Sequence, residues 1–405
     1  MSRLRFCFPT TFYPPYSFGG DAVGVQRLAR ALVKRGHEVT VVHDKDAYRL
    51  LTNGKEPRAI ENDDGVHVIG LESEVSWLAP LLTQQTGRPM ANARRLRSIL
   101  DDGKFDVINF HNTSLIGGPG VFSYGGDATK LYMAHEHWLV CPTHVLWRHN
   151  RELCDERQCL RCQLVYRRPP QWWRWSGLME KELKHLDGFI AMSEFSRAKH
   201  HEFGFPHPME VVPYFLADPD PSETERAFER LHDRPYFLFV GRLEKIKGLD
   251  DVIPLFRRYE GADLLIAGDG NYESHLRELA AGNPRVVFLG RVPFERLRAY
   301  YQHAVATIVP SVCYETFGII LIESFRQKTP VIARRLGPFP EIVERARGGE
   351  LFATESELLA AMRHLQDDRE HRNRLAESAY IASIDVWSES AVVPRYLEVV
   401  ERFGQ

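Results

Sequence analysis

The strongest constraint on this chain is the strand–helix–strand pattern of its opening residues. Leu4 to Phe8 is short, apolar and aromatic, as a buried strand is. Pro9 to Gly20 follows as a loop rich in Pro, Tyr and Gly. Val25, Leu28, Ala29, Leu32 and Val33 then fall at i, i+3, i+4, i+7 and i+8, one face of a helix. Lys34 and Arg35 lie in its last turn, Gly36 is its C-cap, and Glu38 to His43 is a second, β-branched strand. Strand, helix and strand at this spacing imply a right-handed crossover and a parallel sheet.

The same alternation returns in the second half. Tyr236 to Val240, Asp263 to Ala267, Arg285 to Leu289, Ala306 to Val309 and Val331 to Arg334 read as strands. Asp250 to Tyr259, Glu273 to Ala280, Phe294 to His303 and Gly318 to Gln327 read as the helices between them. A Pro- and acid-rich stretch, Leu216 to Glu225, is the expected linker. The fold class is α/β, with two Rossmann-like doubly wound domains facing a central cleft and ligands bound at the carboxyl ends of the strands. The length of 405 residues suits two such domains. With 52 Lys and Arg against 54 Asp and Glu, the net charge is -2, which argues against a nucleic-acid partner. The opening residues hold no apolar stretch of signal-peptide length, so a cytoplasmic location is expected, with peripheral membrane contact left open.

Three loops carry the chemistry. Gly19-Gly20 precedes a helix, where adjacent glycines admit a close anion such as phosphate or simply make a flexible turn. The G-x-G-x-x-G dinucleotide fingerprint is absent there. Arg242 and Lys247 lie five residues apart after the first strand of the second half, where a planar fork and a mobile point charge can grip a diphosphate. Glu315 and Glu323 flank the third loop and enter an apolar helix, because five of the seven residues between them are apolar. That context draws Glu323 toward the interior, and a polyhydroxyl ligand would supply the partners a buried carboxylate needs.

The Glu-x7-Glu spacing resembles the signature of retaining GT-B glycosyltransferases, most closely glycosyltransferase family 4. GRLEKIKG, the Gly268-Asp269-Gly270 turn, FLGRVPFERL and PVIARRLGPFPEIVE are similar to this family in order. In the N-terminal half the resemblance runs through the Gly19-Gly20 loop and Met133 to Trp138. It implies that Glu315 holds hydroxyls of a donor sugar and that the Phe317 and Gly318 amides meet the sugar or phosphate. Glu323 then holds the nucleotide ribose, and Arg242 and Lys247 neutralise the leaving diphosphate. Gly19 and Gly20 lie under that diphosphate, and His135 stands beside the reacting carbon. The resemblance implies no catalytic metal. It sets an acceptor-side domain at 1–215, a nucleotide-sugar domain at 216–385 and a last helix, 386–405, crossing back to the first. The implied reaction moves a sugar from a UDP- or GDP-type donor to a hydroxyl acceptor that is a glycan, lipid-linked or a small molecule. Its rivals are another GT-B sugar-nucleotide enzyme, an epimerase or phosphorylase, and a non-catalytic sugar-nucleotide-binding protein. Tyr214 stands where the family often has Asn, and Pro338 where it commonly has Gly.

Four of the 6 cysteines, Cys141, Cys154, Cys159 and Cys162, fall in an insertion spanning 141–162. A C-x2-C pair with two more nearby resembles a structural zinc site, the alternatives being an iron–sulfur cluster or plain thiols. His144 and His149 could replace one thiolate. The polar segment Arg148 to Gln158 could hardly build its own core, and a metal would supply the missing stability. Trp172, Trp173 and Trp175 then stand among Arg167, Arg168, Arg174, Lys181 and Lys184. Such a stretch packs as a helix, meets a membrane interface or stacks on an acceptor. His111 ends a strand and is a further acceptor-side candidate. His185, His200 and His201 read as surface residues.

Overall fold

A computed structural model describes residues 3–57, 63–219 and 228–404. Two compact units result: one of residues 1–145, 156–213 and 392–405, the other of 146–155 and 214–391. The segment 146–155, expected within the N-terminal half, groups with the second unit. Of the expected linker at 216–225, residues 220–225 lie outside the described residues.

The first unit is built on a parallel sheet of seven strands. In spatial order these are His67–Leu71, Glu38–Asp44, Arg5–Pro9, Val107–Phe110, Thr129–Ala134, Gly188–Ala191 and Glu210–Val211. The chain starts in the middle, winds outward to one edge, returns beside its first strand and winds to the other edge. The helix Gly20–Lys34 buries Val25, Leu28, Ala29 and Leu32, the face its periodicity marks. The central strands Arg5–Pro9, Val107–Phe110, Thr129–Ala134 and Gly188–Ala191 are buried on both faces, as strands inside a parallel sheet are. Residues 392–405 belong to this unit, where Tyr396 is fully buried and accepts a 3.0 Å hydrogen bond from the Asn109 amide.

The second unit repeats the winding with six parallel strands. Their order is Val286–Gly290, Asp263–Ala267, Tyr236–Val240, Ala306–Val309, Val331–Arg334 and Gly349–Phe352. One core layer gathers Phe237, Phe239, Leu264 and Ile266 with Leu249, Val252 and Phe256. The helix expected over Asp250 to Tyr259 is instead two short 3₁₀ turns, Leu249–Asp251 and Ile253–Arg257. Pro254 lacks an N–H and disfavours a helical Ile253, so a continuous α-helix cannot run through. Among the described residues no helix is long and apolar enough to cross a membrane.

The Tyr396–Asn109 contact ties the last helix to the first sheet, and removing the hydroxyl would strand a buried amide. Tyr396→Phe should therefore cost about 1–2 kcal/mol of stability, read as a lower midpoint in thermal or urea unfolding. An unchanged midpoint would show that this bond adds nothing to the docking of the last helix.

Candidate active site

In the second sheet the winding direction reverses between Tyr236–Val240 and Ala306–Val309, and the loops leaving their carboxyl ends diverge there. The first loop ends in a 3₁₀ turn, Lys245–Lys247. Backbone bonds fix both loops. Leu243 N–H donates to the Asp269 carbonyl at 2.9 Å and Val312 N–H to the Ile246 carbonyl at 2.9 Å. Gly248 follows Lys247 with φ +74°, and a Cβ there would lie 2.1 Å from the Pro310 carbonyl oxygen. Only glycine permits the two loops this approach.

That approach places Lys247 Nζ 2.6 Å from Glu315 Oε1. Ser311 Oγ donates to the same oxygen at 3.0 Å. Burial would push the Glu315 carboxyl up, but Lys247, Ser311 and Arg242 together hold it below the ordinary glutamate range. Burial likewise opposes the Lys247 ammonium, yet Glu315, with help from Cys313, keeps its pKa above the ordinary lysine value. The carboxylate and the ammonium are thus each held charged by the other. Arg242 lies more open to solvent, with Nη1 2.9 Å from Glu244 Oε1.

Beyond Glu315 the chain enters the helix Ile319–Arg326. Gly318 caps it at φ +116°, where an added Cβ would sit 2.8 Å from the Phe339 ring. Phe317 is buried against Tyr214, ring centroids 5.8 Å apart, so Tyr214 buttresses this loop. Glu323 is buried on the helix, as its apolar setting implies. Lys247 and Glu315 therefore meet directly, Arg242 acts on both through its charge, and Phe317, Gly318 and Glu323 follow on the same loop and helix. Ser311 was not singled out by sequence; its one signal is its place four residues before Glu315, just past a strand.

The first unit holds the remaining residues. Gly19 is the N-cap of the helix Gly20–Lys34, and no side chain caps that turn. His135 follows the strand Thr129–Ala134 and is buried, with Nε2 2.7 Å from His111 Nδ1. Burial pulls His135 down to about 4 and His111 well below its ordinary value, so both rings are neutral at physiological pH. His111, at the end of the strand Val107–Phe110 as expected, is fully buried against Phe8 and His135. His200, expected at the surface, is also fully buried and bonds the Ser196 carbonyl at 2.8 Å. It is drawn in because it lies one helical turn from buried Ser196 and packs on His137 and Phe205.

Cys141 is buried after a 3₁₀ turn, with Thr143 Oγ1 3.3 Å from its sulfur. Cys159 and Cys162 lie on the helix Cys159–Val165, and Cys154 falls in the segment of the second unit. All 6 cysteines, Cys7 and Cys313 included, are unpaired by disulfides. The ligand atoms of Glu350, His364 and His371 lie within 4.8 Å of one another. There His364 Nδ1 is 2.7 Å and His371 Nε2 3.2 Å from one Glu350 oxygen, so the three already satisfy each other.

The chain's relatives share this architecture. A family model described as Glycosyltransferase Family 4 matches residues 18–217, and one described as Glycosyl transferases group 1 matches 221–382. An uncharacterized glycosyltransferase of Methanocaldococcus jannaschii is 25% identical over 379 residues, covering 85% of this chain and 84% of that protein. The alpha-D-kanosaminyltransferase of Streptomyces kanamyceticus is 31% identical over 197 residues, covering 45% of this chain and 50% of its own. Sucrose-phosphate synthase from Thermosynechococcus elongatus superposes with a TM-score of 0.74 at 18% identity, over 99% of both chains. Anabaena HepE, solved with UDP-glucose, superposes at 0.68 and 16% identity, over 99% of this chain and 100% of that one. At such identities the solved structures establish a shared fold.

The Lys247–Glu315 pair predicts a pH dependence of stability. Glu315 is depressed below 4.5, so its contribution is present above that pH and is lost as pH falls through its folded value. Lys247 is raised above 10.5, so its contribution is present below that pH and is lost as pH rises through its folded value. The melting-point advantage of the native chain over Glu315→Gln should hold level between about pH 5 and pH 9 and shrink in acid. A difference that keeps its size in acid would remove the ion pair as its source.

Proposed function

Because the chain belongs to the family 4 glycosyltransferases of the GT-B fold, and so transfers sugars, we propose that its donor is a nucleotide-diphosphate sugar of the UDP or GDP type. The acceptor is a hydroxyl, and the anomeric configuration is retained. The observation that carries this reading is the Lys247–Glu315 contact, with Arg242 beside it, at the winding reversal of the second sheet. The UDP and UDP-glucose complexes of Anabaena HepE support the donor class.

The free pair is a placeholder. An entering diphosphate gives Lys247 a second anion, and the Glu315 carboxylate is then released to accept hydrogen bonds from sugar hydroxyls. The C1–O bond to the diphosphate breaks and negative charge grows on the leaving oxygens. Arg242, Lys247 and the amides at Phe317 and Gly318 act most strongly at that moment. The acceptor oxygen bonds to C1 from the same face, and its proton passes to the departing diphosphate. Glu315 positions the sugar and forms no covalent intermediate, unlike the carboxylate nucleophile of retaining glycosidases. Glu323 holds the ribose. In the first unit, Gly19 and Gly20 serve the diphosphate and neutral His135 the sugar. No catalytic metal is required, since two side-chain cations stabilise the leaving group.

We further propose that the first unit meets membrane surfaces. Trp172 and Trp175 are 60% and 55% exposed, beside exposed Leu164, Val165, Arg167 and Arg168. Indole rings and cations together suit an anionic headgroup layer. Trp172→Ala with Trp175→Ala should abolish co-sedimentation with phosphatidylglycerol vesicles, and equal recovery of native and variant chains would refute this contact.

Turnover is tested by nucleotide release from a panel of UDP- and GDP-sugars, with and without EDTA. Binding is tested by thermal shift with UDP, GDP, ADP, dTDP and NAD. A nucleoside diphosphate at 100 times its Kd should add about 2.7 kcal/mol of stability, and EDTA should not abolish that gain. Lys247→Ala should lower kcat by roughly 10²-fold or more. Near-normal turnover in that variant would remove Lys247 from the leaving group. A shift with NAD alone would overturn the donor class.

A further inference from the structure

We propose that Glu350, His364 and His371 bind a divalent transition-metal ion such as zinc, which staples three elements of the second unit together. All three residues belong to that unit, and the inference is independent of the sugar-transfer reading.

The first observation is convergence. Glu350 lies on the edge strand Gly349–Phe352, His364 in the last turn of the helix Glu355–Asp367 and His371 in the first turn of the helix Arg369–Asp385. Each element thus sends one ligating atom to a single locus, and the three atoms lie within 4.8 Å of one another. His364 Nδ1 is 2.7 Å and His371 Nε2 3.2 Å from the same Glu350 oxygen. No cysteine shares in the group.

The second observation is charge. Asp368 caps the second helix by accepting a 2.8 Å hydrogen bond from the His371 backbone amide, so a second carboxylate stands beside the imidazoles. The Arg374 guanidinium nearby is paired with Glu370 at 2.7 Å. Two carboxylates beside neutral rings leave two negative charges, which one divalent ion cancels. Imidazole with carboxylate is a donor set for zinc, nickel, cobalt or copper, whereas magnesium and calcium prefer oxygen ligands alone.

The metal-free group is a hydrogen-bonded stand-in for that centre. Its two rings are stacked, with centroids 4.2 Å apart and planes 12° from parallel. Parallel rings cannot both aim a lone pair at one ion, so ligation requires one ring to turn. His364 is the ring with room to do so, its side chain being 50% exposed. As the ion binds, each facing nitrogen gives its proton to solvent and the far nitrogen of the ring takes one up. The freed lone pair then forms the metal–nitrogen bond, and the ring stays neutral. Three protein ligands leave the fourth tetrahedral position to water. Glu350 pairs with Ile332 toward the amino end of the sheet, away from the carboxyl ends whose loops carry Lys247 and Glu315. The ion therefore fastens the edge strand to the two helices that follow it and takes no part in transfer.

The test uses the full chain, purified without a polyhistidine tag, stripped with a chelator and dialysed into metal-free buffer. Calorimetric titration with Zn²⁺ should show a site that disappears in His364→Ala with His371→Ala, a variant that leaves every thiol in place. Zn²⁺ should raise the melting midpoint of the native chain by more than that of the variant. The site lost in the variant should take Co²⁺ without the near-ultraviolet sulfur-to-cobalt charge-transfer band that a thiolate site gives. Glu350→Gln keeps an oxygen for both rings to bond while removing the charge. It should weaken the site by more than about tenfold, the lower end of the loss caused by an outer-shell partner alone. Equal Zn²⁺ stoichiometry and affinity in the native chain and the double histidine variant would overturn the proposal. So would an affinity at these histidines no greater than that of free imidazole, which would mean an adventitious ion only.

Discussion

The contact between Lys247 and Glu315 is the constraint on which the second unit's site depends. Two groups 68 residues apart in sequence lie 2.6 Å apart because the strands that carry their loops are neighbours. The sheet alone would not achieve this. Gly248 must adopt a left-handed backbone under the Pro310 carbonyl, and Val312 must bond the Ile246 carbonyl, before the ammonium reaches the carboxylate. The pair in turn relieves a problem the loops create. Each charge is partly withdrawn from water, and either alone would be driven toward neutrality. The ammonium is thus already charged and fixed in place, with no proton to acquire.

The same winding carries the first unit's residues, but its chemistry differs. There the carboxyl ends of the central strands present an uncapped helix terminus behind Gly19 and a neutral histidine pair, His111 and His135. The first unit thus offers a helix terminus and neutral imidazoles, where the second offers charged side chains.

Much of this was legible in the sequence. Apolar strands at regular spacing, helical periodicity in Val25 to Val33 and the Glu-x7-Glu loop all follow from local pattern, and local pattern is what sequence exposes. The failures share a physical cause, since each depends on contacts distant in the chain. Neither the pairing of His111 with His135 nor the burial of His200 has a local signal, because an imidazole suits a surface and a core equally. Ser311 looks like any loop serine until Glu315 folds back onto it. The 250–259 stretch is the exception, for its failure was local: Pro254 was present in a segment otherwise patterned as a helix, and its missing N–H prevailed over apolar periodicity.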